Sequence, residues 1–146
     1  MITSGTVRCI YIPSTEMEKM RRDVDNRAPE EACGMLAGRF EQDCARSLTI
    51  LPAVNSLHSK VKYQIDPMEQ YKAFIWIESQ EMELVGIYHS HPNGPTSPSS
   101  TDITESYYPG VAYLIWSAGS GEWECRAFLI DDGKVGSLEL LVIEPE

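Results

Sequence analysis

The first helix is predicted from a capping signal followed by apolar residues at helical spacing. Thr15-Glu16-Met17-Glu18 has the form of a capping box, in which the hydroxyl and the second glutamate accept each other's backbone N–H groups. Met17, Met20 and Val24 then recur on one helical face. Arg27-Ala28-Pro29 should end the helix, because a proline disfavours helical backbone at the residue before it.

A second helix has a stronger start signal. In Asp66-Pro67-Met68-Glu69 the aspartate can cap the helix, the proline suits the first turn, and the glutamate can reciprocate. Apolar residues carry this helix to about Glu81. A third, short helix is predicted from Ser99 onward, after the turn-rich loop Pro92 to Pro98.

Apolar runs bounded by turn residues predict the strands. The predicted strands are Glu31 to Leu36, Ser47 to Val54, Leu84 to His91, Val111 to Trp116, Trp123 to Ile130 and Val135 to Ile143. Asp132-Gly133 is a hairpin signal between the last two. The mixed order, rich in strands near the end, predicts an α+β (mixed α/β) fold with a largely antiparallel sheet. No linker interrupts the pattern, so residues 1–146 are predicted to form one domain.

Composition and charge exclude several classes of partner. The 12 Lys and Arg residues face 22 Asp and Glu residues, and a net charge of −10 disfavours nucleic acid and anionic membranes as partners. No apolar run approaches the roughly 20 residues of a membrane helix. The N-terminus has no signal-peptide pattern, so a cytoplasmic protein is expected.

The cysteines offer no recognisable framework. Cys9, Cys33, Cys44 and Cys125 are scattered and form no C-x-x-C pair. This spacing argues against a zinc knuckle and against a disulfide framework, so the thiols are expected to be reduced.

The segment from His89 to Asp102 carries the candidate chemistry. His89 and His91 lie two apart on a predicted strand, so their imidazoles share a face, while Tyr88 and Ser90 point the other way. The loop that follows can return Asp102 as a third ligand. Two nitrogens and one carboxylate suit zinc, and three protein ligands leave the fourth position for a water molecule.

Each part of this segment is weak evidence when taken alone. A lone H-x-H is more often a pair of surface or core histidines, and Ser99-Ser100-Thr101-Asp102 is a common capping pattern. Both parts together, across one short loop, favour a metal site. Other zinc enzymes fit poorly: amidohydrolase barrels need about 250 residues, and the deaminase pattern of H-x-E with P-C-x-x-C is absent.

The complete spacing resembles a known family. H-x-H, seven residues, Ser, two residues and Asp is similar to the JAMM motif of the MPN+ zinc metallopeptidases. Upstream, Glu31-Ala32-Cys33-Gly34-Met35-Leu36-Ala37-Gly38 resembles the family's Glu-x-Cys-Gly-hydrophobic segment. The resemblance extends from roughly Glu30 to Trp116 and points to the short, stand-alone prokaryotic members.

The resemblance implies a role for each motif residue. His89, His91 and Asp102 would bind Zn²⁺. Glu31 would be the general base and then the general acid, and Ser99 would donate a hydrogen bond to the oxyanion formed from the substrate carbonyl.

The resemblance also implies the fold. An MPN fold, related in outline to cytidine deaminases, would have a curved mixed sheet flanked by helices. Glu30 is the rival of Glu31 for the catalytic role, but strand alternation points their carboxylates to opposite sides, so only one can serve.

For the substrate, the resemblance implies the C-terminal Gly-Gly tail of a ubiquitin-like sulfur-carrier protein. The tail is expected to dock as an added strand at a sheet edge near the metal. Two alternatives stay open at this stage. One is a RadC-like protein, which shares parts of the same loop, and the other is a non-catalytic MPN interaction scaffold. The oligomeric state is not predicted.

Overall fold

The computed structural model describes residues 7–145. Within this range the chain forms seven strands and three helices, and no helix is long and apolar enough to span a membrane. In chain order the elements are β1 (Cys9–Pro13), α1 (Ser14–Arg27), β2 (Cys33–Glu41), β3 (Cys44–Ala53), α2 (Pro67–Ser79), β4 (Glu83–His91), α3 (Ser100–Thr104), β5 (Ala112–Ser117), β6 (Glu124–Asp131) and β7 (Lys134–Ile143).

The predicted mixed α+β architecture is confirmed. The strands follow the order β1-β3-β2-β4-β5-β6-β7, and β1 also pairs with β7, which closes the sheet. The β1–β3, β1–β7 and β4–β5 pairs are parallel, and the other four pairs are antiparallel. The likeness to cytidine deaminases stays a prediction.

Closure of the sheet does not pair every strand along its whole length. Each strand described between residues 7 and 145 has a neighbour on both sides over part of its length. β1 pairs with β3 only from Cys44 to Arg46, so residues 47–53 of β3 have no strand partner on that side. Docking of the substrate as an added strand needs such an unpaired segment and stays a prediction.

The predicted start of α2 is confirmed, but one of its two predicted capping contacts is absent. The Asp66 side chain caps the helix by accepting the Glu69 N–H at 3.2 Å. Glu69 does not reciprocate, because its carboxylate accepts the backbone N–H of Val54 at 2.8 Å. The glutamate therefore ties the helix to the end of β3.

The capping box predicted for α1 is wrong. The helix begins at Ser14, one residue early, and its N-terminus carries no side-chain cap. Both glutamates of the pattern bind elsewhere: Glu16 is buried and accepts the N–H of Ile50 in β3 at 2.9 Å, and Glu18 binds Arg21 and Arg22. Glu18, which should have completed the box, is thus engaged by arginines of the same helix, and only the contact of Glu16 is long-range.

The expectation of reduced thiols is also wrong for two cysteines. Cys9 and Cys44 form a disulfide, with their Cα atoms 4.8 Å apart. The two residues lie opposite each other in the parallel β1–β3 pair. They are separated by 35 residues along the chain, so their spacing alone gave no sign of the pairing. Cys33 and Cys125 are free.

Helix α1 is fastened to the sheet through a buried tyrosine. The Tyr88 hydroxyl in β4 donates to Asp23 Oδ2 at 2.6 Å. Asp23 also pairs with Arg27 at 3.0 Å, and Arg27 donates to the carbonyl oxygens of Ala53 and Cys33 at the ends of β3 and β2. The network joins the helix to the strand ends that border the candidate site.

Gly34 leaves the space that the Tyr88 ring occupies. A Cβ atom at Gly34 would lie 2.3 Å from Cε2 and 2.5 Å from Cζ of Tyr88. The glycine of the Glu-x-Cys-Gly segment is thus required by packing, because any side chain would displace the ring and its bond to Asp23.

We expect Gly34→Ala to lower the free energy of unfolding by about 1–3 kcal/mol, the usual cost of overpacking a core. Urea unfolding followed by circular dichroism measures this change. Gly136→Ala is the control, because nothing lies within 4 Å of a Cβ atom there. Equal midpoints for the Gly34 and Gly136 variants would contradict the packing role of Gly34.

Candidate metal centre

The pairing of β2 with β4 brings Glu31 to the two histidines. Cys33 lies opposite His89, so by the same antiparallel register Glu31 lies across from His91. The pairing continues beyond the end of β2, because the Ser90 N–H donates to the Ala32 oxygen at 3.1 Å. The Ala32 N–H donates in turn to Ser90 Oγ at 2.8 Å. Ser90 points away from the imidazoles, as strand alternation predicts, and clamps the backbone beside Glu31.

The backbone of Glu31 is held on its other side by the loop that follows β3. Its N–H donates to the Ser59 oxygen at 2.8 Å, and its carbonyl oxygen accepts from Asn55 Nδ2 at 3.0 Å. The residue is buried, with 4% of its surface exposed. Glu30 instead lies at the surface, where its Oε1 is 3.3 Å from Nδ1 of His58. Only Glu31 therefore faces His89 and His91.

Asp102 reaches the site from the start of α3. Ser99 Oγ accepts the Asp102 N–H at 3.0 Å, and Asp102 Oδ2 accepts the Ser99 N–H at 2.9 Å, which forms a capping box. The predicted helix start is confirmed. The reciprocal bonds fix the carboxylate relative to the helix, so the cap also aims the acid at the histidines.

Three potential ligand atoms meet at one point. His89 Nε2 and His91 Nε2 are 3.0 Å apart, and each lies 3.1 Å from Asp102 Oδ2. Glu31 stands next to this triangle, since one of its oxygens and the two histidine nitrogens lie within 4.8 Å of one another. The structure thus brings together four of the five predicted site residues, and the fifth, Ser99, lies beside them because it bonds Asp102 in the capping box.

Each atom of the triangle suits a metal ligand. The Pro95 carbonyl oxygen lies 2.8 Å from His91 Nδ1 and can only accept, so Nδ1 carries the proton and Nε2 of the neutral ring keeps its lone pair. Burial lowers the pKa of His89 and so favours its neutral form. Burial opposes ionisation of Asp102, but its polar neighbours, the two imidazoles and the Ser99 N–H, hold its pKa well below the ordinary value.

This donor set fits a small divalent cation. A tetrahedral zinc ion with bonds of about 2.0–2.1 Å separates its ligand atoms by about 3.3 Å, close to the observed 3.0–3.1 Å. The ionised carboxylate of Asp102, joined by that of Glu31 whenever Glu31 is ionised, places negative charge in a poorly solvated site, which is costly without a compensating cation. Glu31, His89 and His91 alone already form a group that could hold a metal ion.

Burial changes the acid–base behaviour of Glu31. Its pKa is raised to about 7, mainly because burial penalises the charged carboxylate; His91 opposes the shift and Asp102 adds to it. A carboxyl group with a pKa near neutrality can both accept and return a proton at that pH.

A cavity of about 370 Å³ opens beside Asp102. Four tyrosine rings contribute to its wall, together with Ile87 and residues from the β3–α2 loop and the start of α2; the tyrosines are Tyr63, Tyr107, Tyr108 and Tyr113. The cavity is large enough for a few small residues of a peptide. Because Asp102 lines it, the cavity offers an approach to the candidate metal ligands.

Sequence reasoning missed several residues that shape this site. Asn55 and Ser59 reach Glu31 from a loop more than 20 residues away, Tyr63 stacks on His89, and Pro95 binds His91 through its carbonyl oxygen. None belongs to the motif. Of the supporting residues, only Ser90 could have been singled out from the sequence, because it lies between the two histidines of the motif.

Comparison with known proteins identifies the family of this chain. The family model described as "Prokaryotic homologs of the JAB domain" matches residues 13–130, a range that includes all five predicted site residues. A probable TtuB-protein conjugate cleaving protease of Thermus thermophilus is 34% identical over 133 residues, covering 90% of this chain and 83% of that protein. The CysO-cysteine peptidase of Mycobacterium tuberculosis is 31% identical over 145 residues, covering 99% and 98%.

A solved structure has the same fold. The solution structure of a protein from Desulfitobacterium hafniense superposes with a TM-score of 0.85 at 31% sequence identity, covering 93% of this chain and 94% of that protein. The motif, the fold and the family match agree over most of the chain. The chain therefore belongs to the prokaryotic homologs of the JAB domain and is a JAMM-type hydrolase.

Proposed function

We propose that this hydrolase is a zinc peptidase that cleaves the bond following the C-terminal Gly-Gly of a ubiquitin-like carrier protein. The observation that carries the proposal is the convergence of His89, His91 and Asp102 within 3.1 Å, with the buried Glu31 alongside. When bound, zinc would supply Lewis acidity, polarising the scissile carbonyl and lowering the pKa of a water molecule.

Asp102 rather than Glu31 is the proposed third ligand. Its Oδ2 lies 3.1 Å from each histidine nitrogen and is aimed by the capping box, whereas the Glu31 group is looser, within 4.8 Å. Glu31 is left free to take a proton from the attacking water and deliver it to the leaving amine. Its pKa of about 7 suits both transfers.

Ser99 can donate a hydrogen bond to the oxyanion while it caps α3. As the cap of α3, its oxygen accepts the Asp102 N–H at 3.0 Å. Accepting uses a lone pair, so the hydroxyl proton remains available to donate. Removing one oxyanion donor typically costs about 10²–10³-fold in rate.

The substrate class is supported by the relatives and by the cavity. One relative is named as a protease that cleaves TtuB-protein conjugates and the other as a CysO-cysteine peptidase, so both names describe cleavage of a conjugate. A glycine tail suits the cavity beside Asp102, because residues without side chains allow close backbone approach.

The ligand assignment predicts the metal content of single variants. Protein purified without chelator should contain near one zinc per chain, measured by elemental analysis. His89→Ala and Asp102→Ala should lose the metal, whereas Glu31→Gln should keep it. Zinc retained in both ligand variants would contradict the site, and zinc lost in Glu31→Gln would make Glu31 a ligand.

The role of Glu31 predicts a separate kinetic effect. Glu31→Gln preserves size and polarity but cannot carry a proton, so turnover should fall by about 10²–10⁴-fold while zinc content stays unchanged. Glu30→Gln is the matched control, because its side chain lies at the surface beside His58. Equal turnover of the Glu31 variant and the wild type would contradict the mechanism.

The substrate is tested by mass spectrometry of a ubiquitin-like carrier extended by a few residues beyond Gly-Gly. The zinc-loaded protein should release the extension directly after the second glycine, and the Glu31→Gln variant should not. A carrier with Ala-Ala in place of Gly-Gly should be cleaved more slowly, since its side chains crowd the approach. Cleavage by neither form removes this substrate class, and equal cleavage by both forms indicates a contaminating protease.

A further inference from the structure

The ring of Tyr63 lies against the imidazole of His89. Their centroids are 4.4 Å apart and the planes are inclined by 21°. His91 approaches the same imidazole edge-on, with centroids 4.8 Å apart and an angle of 69°. With 1% of its surface exposed, His89 is enclosed by these neighbours.

The two histidines differ in how their orientation is fixed. His91 Nδ1 is bonded to the Pro95 oxygen at 2.8 Å. His89 Nδ1 is buried and has no hydrogen-bond partner among the side chains and backbone of residues 7–145. Metal-binding histidines are usually oriented by a hydrogen bond from the second ring nitrogen. In His89 the plane of the ring must therefore be held by packing.

Tyr63 is itself held in place by a buried asparagine. Asn55 Oδ1 accepts the N–H of Gln64, the residue after Tyr63, at 3.1 Å. Asn55 Nδ2 donates to the oxygen of Lys62, the residue before it, at 2.9 Å. The same amide nitrogen donates to the backbone carbonyl oxygen of Glu31 at 3.0 Å. The segment that carries the stacked ring and the backbone of Glu31 are thus anchored to one side chain.

We propose that Tyr63 is a positioning residue for His89, whose imidazole plane it fixes by stacking. The stack keeps Nε2 at 3.0 Å from His91 Nε2 and 3.1 Å from Asp102 Oδ2. The proposal rests on the metal site of the proposed function. The flat face of the ring performs this role and the hydroxyl does not, so phenylalanine can replace tyrosine. A flexible aliphatic side chain lets the imidazole tilt away from the other ligands.

The experiment compares zinc affinity, measured by competition with a chromogenic chelator, among the wild type, Tyr63→Phe, Tyr63→Leu and Tyr108→Leu. Tyr63→Leu should weaken zinc binding by about 10-fold to 100-fold, the range for loss of a contact that orients a metal ligand. Tyr63→Phe should bind zinc as the wild type does. Tyr108→Leu is the matched control, because Tyr108 lines the same cavity but packs on Phe74 and bonds Gln70.

The outcomes separate this proposal from the proposed function. Equal zinc affinity of Tyr63→Leu and the wild type overturns the positioning role and leaves the metal site intact. If Tyr63→Leu and Tyr108→Leu weaken zinc binding equally, the positioning role is also overturned, because any change in the cavity wall would then weaken zinc binding. A wild type that binds no zinc overturns the metal site itself. If Tyr63→Leu does not fold, Tyr63→Met fills a similar volume without a flat ring and repeats the comparison.

Discussion

The antiparallel register between β2 and β4 is the constraint on which the site depends. It sets Cys33 opposite His89 and Glu31 opposite His91, and Ser90 reinforces it with two bonds to the backbone of Ala32. A slip of one residue would turn Glu31 and the histidines to opposite faces, because side chains alternate along a strand. The buried bond between Tyr88 and Asp23 on the other face opposes such a slip.

Burial gives these residues their chemistry and makes the arrangement costly without a cation. Glu31 and the two imidazoles are buried, and the Asp102 side chain beside them is 10% exposed. Desolvation raises the pKa of Glu31 to about 7 and lowers the pKa of His89, which favours the neutral form of that imidazole. A divalent ion would offset the negative charge of Asp102 and Glu31, so metal binding and the acid–base role of Glu31 have one physical origin.

Regular elements and loops contribute different parts of the site. The sheet provides both histidines and sets the position of Glu31, since a closed array of strands resists local displacement. The loops provide what the strands cannot: Asp102 from the cap of α3, and the ring of Tyr63 from a segment held by Asn55. The cavity is lined by residues of both loops, whereas the two histidines lie on β4.

The sequence alone determined the features that depend on local spacing. Alternation put His89 and His91 on one face, and capping patterns located the starts of α2 and α3. The spacing of the motif identified the family. Only the tertiary structure decided that Cys9 pairs with Cys44, that Glu16 accepts the N–H of Ile50 in β3, and that Tyr63 stacks on His89. Each of these contacts joins residues 26 or more positions apart. These contacts form because strand pairing and loop closure bring distant residues together, and a local pattern of residues does not predict that.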